Sequence, residues 1–158
     1  MKPETEITLL LDALDEAFER HSWHGPNLRG AVRGVTAADA VRRPKAGRHN
    51  IAEVTVHAAY WKYVVRRMLT GGKRGSFPLK GSNWFARAKP DPSQWKRDVE
   101  MLVDEHRKLR GAIEDFPAAD LGRRSPKKGY TMAQLIRGIA AHDLYHAGQI
   151  QLLKRLVR

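Results

Sequence analysis

The stretch His142-Asp143-Leu144-Tyr145-His146-Ala147-Gly148-Gln149 sets two imidazoles four residues apart near the end of the chain. Four residues of helix turn about 400° and rise about 6 Å, so both side chains leave one face a turn apart. That geometry suits two nitrogen ligands on one metal ion. Leu135, Ile139, His142, His146, Ile150 and Leu153 keep helical spacing, which predicts a stripe facing a core. Two imidazoles in such a stripe cost stability unless their ring nitrogens find partners, and a shared metal supplies them.

The same periodicity recurs upstream. Ile7, Leu10, Leu11, Leu14 and Phe18 share a face within residues 5–20. A second helix begins after Asn50, with Glu53 completing a capping pair, and carries Val54, His57, Trp61, Val65 and Met68 before Gly71-Gly72 ends it. A third runs from near Pro92 to before Pro117, with Trp95, Val99, Leu102, His106, Leu109, Ile113 and Phe116 in steps of four and three. Thr131 caps the fourth, with Gln134 as its partner. Strand-like alternation is absent, so the pattern predicts an all-α chain built as a four-helix bundle. Long connections follow the first two helices, over residues 21–49 and 72–91. The first contains Thr36-Ala37-Ala38-Asp39, a short helix start. Loops this long are expected to wall a pocket.

A length of 158 residues predicts one domain, residues 1–158. No apolar run is long enough to span a membrane. Met1-Lys2-Pro3-Glu4-Thr5-Glu6 lacks the order of a secretory signal, which predicts a cytoplasmic protein. Without cysteine, a metal site must use His, Asp, Glu or backbone oxygen. The net charge of +12 raises the question of nucleic acid. However, the basic residues come as scattered pairs, among them Arg42-Arg43, Arg66-Arg67, Lys73-Arg74 and Lys127-Lys128, which read as a solvated surface.

His57, at mid-height on the second apolar stripe, is the natural third ligand beside His142 and His146. Three imidazoles leave a coordination position open, the mark of a reactive site, where water or a substrate's thiolate or carbonyl oxygen can bind. Imidazole suits zinc, nickel, iron and copper alike. His106 stays open between a fourth ligand, a hydrogen-bond donor to a ligand, a proton shuttle and a core histidine satisfied by a neighbour. His21, His24 and His49 fall in or beside a loop and read as exposed. Gln149, one turn beyond His146, can orient that imidazole. Asp143 points about 100° away and reads as a surface residue, while capping is enough to explain Glu53. Zincin, phosphate-loop, dinucleotide and nucleophile-elbow motifs are missing, and no catalytic side chain is assigned.

Gly47-Arg48-His49-Asn50-Ile51-Ala52-Glu53-Val54-Thr55-Val56-His57, then Ala58-Ala59-Tyr60-Trp61, and the terminal segment from His142 to Ile150 resemble the DinB/YfiT-like superfamily. The resemblance spans nearly the whole chain. It implies a four-helix bundle, one divalent metal (zinc or nickel) on His57, His142 and His146, and frequently a homodimer. Characterised relatives include transferases and isomerases that use mycothiol or bacillithiol, and others are labelled metal-dependent hydrolases. The expectation is therefore a metal-dependent enzyme acting on a small molecule, with either a low-molecular-weight thiol or water. The alternative is a basic nucleic-acid-binding module with a structural metal, in which Phe77, Trp84 and Phe85 stack on bases beside Lys73, Arg74, Lys80 and Arg87.

Overall fold

Capping side chains fix where the long helices begin. In a computed structural model, which describes residues 3–126 and 129–157, α4 spans Ile51–Thr70. Asn50 Oδ1 accepts the Glu53 N–H at 2.9 Å, and the Glu53 carboxylate accepts the Asn50 N–H at 3.4 Å. Gly71 closes the helix at φ 69°, the left-handed conformation that glycine adopts without steric cost. α6, Met132–Leu156, opens on the reciprocal pair Thr131 and Gln134. α5, Pro92–Glu114, opens on Asp91, whose carboxylate accepts the N–H groups of Ser93 and Gln94, with Pro92 in the first turn. α1 spans Pro3–Phe18.

The connection between α1 and α4 holds two short helices, α2 (Leu28–Val32, capped by Asn27) and α3 (Ala37–Val41, capped by Thr36). Thr36 and Asp39 announce α3. α2 shows no periodic pattern, because five residues are too few to display one. The remaining elements are a 3-10 turn at Ala118–Asp120 and an isolated bridge between Arg124 and Thr131. The described residues are thus all-helical, without strands, and none of the helices is long and apolar enough to cross a membrane. The Lys127-Lys128 pair lies outside them.

Two apolar clusters lie end to end along the long helices. The first gathers Phe18, Leu28, Ile51, Val56, Val64, Leu102, Ala147 and Ile150; the second gathers Leu14, Val65, Leu69, Leu109, Ile113, Met132, Ile136 and Ile139. α4 and α5 each start in the first cluster and finish in the second, whereas α1 and α6 run the other way. Two parallel neighbours cannot be joined by a tight turn. The chain after α4 must travel back along a helix of about 30 Å, which accounts for the length of residues 72–91. That return path crosses the face of α4 that carries His57.

α4 packs against α3, α5 and α6, and from Ile51 to Ala59 every residue is buried. A helix covered on all sides has no outlet for charge, so each polar group in it must be partnered inside. Thr55 back-bonds to the Ile51 carbonyl at 2.8 Å, and Lys62 forms a buried ion pair with Asp143 of α6. On α6 the buried residues are Met132, Ile136, Ile139, Ala140, Asp143, His146, Ala147 and Ile150, which keeps Ile139, His146 and Ile150 of the expected stripe but shifts its centre by one position. The centre of the core face is Asp143, not His142.

Candidate metal centre

That rotation keeps His146 within the core face and sets the half-buried His142 at its edge, where α6 meets α4 and a cavity opens. His142 Nε2 lies 3.2 Å from His57 Nε2 and 3.0 Å from His146 Nε2, and one ring nitrogen from each residue falls within 4.8 Å of the others. The outer nitrogens of two of the rings are fixed. His57 Nδ1–H donates to the Asn83 carbonyl at 2.8 Å, and His146 Nδ1–H donates to Gln149 Oε1 at 2.7 Å. A neutral imidazole with its proton on Nδ1 presents only a lone pair at Nε2. Two lone pairs therefore face His142, whose Nε2–H can satisfy one and leaves the other facing bare nitrogen. A divalent cation satisfies all three, and nitrogens held at about 2.0–2.1 Å around a tetrahedral ion sit roughly 3.3 Å apart. The donor set fits such an ion.

Residues 72–91 supply what holds His57. Asn83 adopts φ 66°, a left-handed conformation that asparagine tolerates better than most side chains. Its carbonyl takes the His57 proton, and its Oδ1 accepts the Trp61 indole N–H at 2.9 Å. Next to it, Trp84 stacks on His57 at 3.9 Å and on His49 at 3.5 Å, both nearly parallel. Two rings so close to one indole must occupy its opposite faces. His49 Nδ1 in turn contacts the Glu53 carboxylate at 3.0 Å. Burial pushes Glu53 up, but hydrogen bonds from Arg43, His49 and the Arg87 N–H prevail and hold it below the ordinary carboxylate range. Capping is thus one of several tasks for Glu53, which ties both long connections to the base of α4.

Burial, assisted by the neighbouring imidazoles, pulls His142 down to about 3. Burial likewise brings His146 down to about 4 against the support of Gln149, and lowers His57 against the Asn83 carbonyl. All three rings are neutral and available as ligands near pH 7.

The nitrogen set matches the sequence reading, and a family model described as the DinB superfamily matches residues 17–150 of this chain. The chain belongs to the DinB superfamily. No curated protein and no solved structure matches it.

Other expectations for this DinB-superfamily chain are corrected by its structure. Asp143 is fully buried rather than on the surface, and Lys62, which no sequence motif marked, is equally buried against it. Burial raises Asp143 to about 6, opposed by Lys62, and burial lowers Lys62, opposed by Asp143. His106 is no fourth ligand. Its ring stacks on Phe18 at 3.7 Å, and Nδ1 accepts from Lys62 Nζ at 3.3 Å. It is a core histidine joined to the buried ion pair. His49 is half exposed as expected, but it braces Trp84. Phe77 and Phe85 are buried with Tyr60 and Tyr63, and Arg87 pairs with Asp98, which removes them from the set offered for base stacking.

Burial first, then the charges of Lys62, Arg110 and Arg29, pull His106 down to about 2. The unfolded chain, with histidines near about 6.5, takes up a proton that the folded chain refuses. The stability from His106 is therefore complete above about pH 6.5 and is lost as pH falls toward 2. Urea denaturation of metal-free protein between pH 7 and 4.5 is expected to show this loss. In His106→Leu the slope is shallower by about 1.4 kcal/mol per pH unit at the acidic end. An unchanged slope would contradict the assignment.

Proposed function

We propose that this DinB-superfamily protein is a metal-dependent enzyme, a single four-helix-bundle domain over residues 1–158 in which His57, His142 and His146 hold one divalent ion, zinc or nickel. The observation that carries the reading is the convergence of three Nε2 atoms, with Asn83 and Gln149 holding the outer nitrogens of two of the rings. With three protein ligands the ion keeps a position open and supplies a Lewis acid that lowers the pKa of a bound thiol or water. The reaction class is thiol-dependent S-transfer or hydrolysis.

The chain's own residues set the conditions for either reaction. Asn83 and Gln149 hold His57 and His146 in the tautomer whose lone pair faces the ion. Trp84 lies along the face of His57 and keeps the ring from turning. The apolar surroundings of the three rings strengthen the field of the ion on whatever binds there. Among the described residues no carboxylate lines the adjoining cavity, so proton transfer falls to the substrate, to water, or to the Tyr145 hydroxyl or His49 of the lining.

Titrating the cobalt(II)-loaded protein with 2-mercaptoethanol tests the open position. A sulfur-to-cobalt charge-transfer band in the near ultraviolet is expected. A spectrum that responds to neither thiol nor hydroxamate would contradict an accessible coordination site. Gln149→Leu, which leaves the His146 N–H without its acceptor, is expected to weaken zinc binding about 10- to 100-fold in a chelator competition. Affinity within twofold of wild type would mean that Gln149 does not orient the ligand.

A further inference from the structure

The three histidines line a cavity of about 790 Å³, far larger than an ion and its water require. Its apolar wall comes from Val54 on α4 and from Leu152, Leu153 and Leu156 on α6. Leu152 and Leu156 are more than half exposed, an unusual position for two leucines a turn apart unless something covers them. The Gln149 amide beside the histidines is already committed. Gln149 accepts from His146 and donates to the Tyr145 hydroxyl at 3.1 Å. The charged groups of the lining are Lys45 and Arg48, both from residues 21–49. Neither has an acidic partner among the described residues, in contrast to neighbouring Arg43, which is spent on Glu53.

We propose that this cavity takes an amphipathic anion, with its metal-seeking group at the histidines, an apolar carbon body along Val54, Leu152, Leu153 and Leu156, and a carboxylate or phosphate at Lys45 and Arg48. This rests on the metal reading above and adds the class of ligand to it. A bound divalent ion and two unpaired cations favour negative charge, and among the described residues no carboxylate of the lining opposes it. The aliphatic wall selects the body. A polyhydroxylated group such as a sugar would give up water from its hydroxyls against four side chains that offer no hydrogen bond.

The test uses the cobalt(II)-loaded protein and alkyl hydroxamates of increasing length that end in a carboxylate, beside the matching methyl esters, with binding read from the visible cobalt spectrum. Affinity is expected to rise about tenfold or more from the short to the long members, because each methylene leaves water. The long carboxylate is expected to bind about tenfold more tightly than its ester at low salt, and Lys45→Glu/Arg48→Glu to abolish that preference without changing ester binding. Leu152→Asp is expected to flatten the dependence on length. Intact cobalt binding with affinities indifferent to length and charge would overturn the proposal and leave the metal reading standing. The same flat result in a protein that sediments as a dimer would assign Leu152 and Leu156 to a contact between copies, and also overturn it. Failure to bind cobalt at all would overturn the metal reading and this one with it.

Discussion

Asp143→Ala is expected to destabilise the protein by about 3–5 kcal/mol, the cost of leaving a buried charge without its partner. Lys62 has no exposed surface, and among the described residues its Nζ meets Asp143, the neutral His106 nitrogen and, at 4.8 Å, the face of Phe18. Without the carboxylate, Lys62 must shed its proton or draw water into the junction between the two apolar clusters. Urea denaturation at pH 7 measures the loss directly. The paired replacement Lys62→Met/Asp143→Leu is expected to recover most of it, since a well-packed apolar pair is often as stable as a buried ion pair. A single-variant cost below about 1 kcal/mol would contradict burial of the pair.

The ion pair also has a geometric consequence. Asp143 precedes Leu144 and follows His142, so anchoring it to Lys62 of α4 fixes the rotation of α6 about its axis. That rotation turns His142 and His146 toward His57. The core and the candidate site are set by one contact.

His57→Ala is expected to weaken zinc binding by at least on the order of a hundredfold, more than loss of an orienting partner costs, because a donor atom itself is removed. His142 and His146 are one helical turn apart and move together, whereas His57 reaches them from another helix. Its loss leaves two nitrogens on one side of the ion and the Asn83 carbonyl without its donor. Chelator competition gives the affinity, and far-UV circular dichroism confirms retained helix. Zinc affinity within a few-fold of wild type, with the fold intact, would remove His57 from the ligand set.

Much of this was legible from residues alone, for identifiable reasons. Capping pairs are local, so Asn50 with Glu53, Thr131 with Gln134 and Thr36 with Asp39 mark helix starts without knowledge of the fold. The histidine set was legible because four-residue spacing on a helix fixes a shared face, and a third histidine lay at similar height on another stripe. The outer partners differ in kind. Gln149 is local to His146 and could be read; Asn83 acts through its backbone carbonyl from a long connection, and no side-chain motif announces that.

Asp143 and Lys62 were missed for a different reason. Periodicity finds the apolar stripe of a helix and assigns everything outside it to solvent. α4 is enclosed on all sides through its first half, and the core face of α6 is centred on Asp143, one residue past His142. A signal was present in residues 51–59, where Glu53 and His57 are the only ionisable side chains. A helix that is apolar all round belongs in the middle, and charges on it call for partners on its neighbours.

Elemental analysis of protein purified without a metal-affinity tag, beside the His142→Ala/His146→Ala variant, tests the metal centre most directly. About one equivalent of zinc or nickel is expected in the wild type and none in the variant, with helix content retained in both. Metal-free wild type that also fails to take up zinc or nickel on titration, with its fold intact, would contradict it and return the three histidines to core packing.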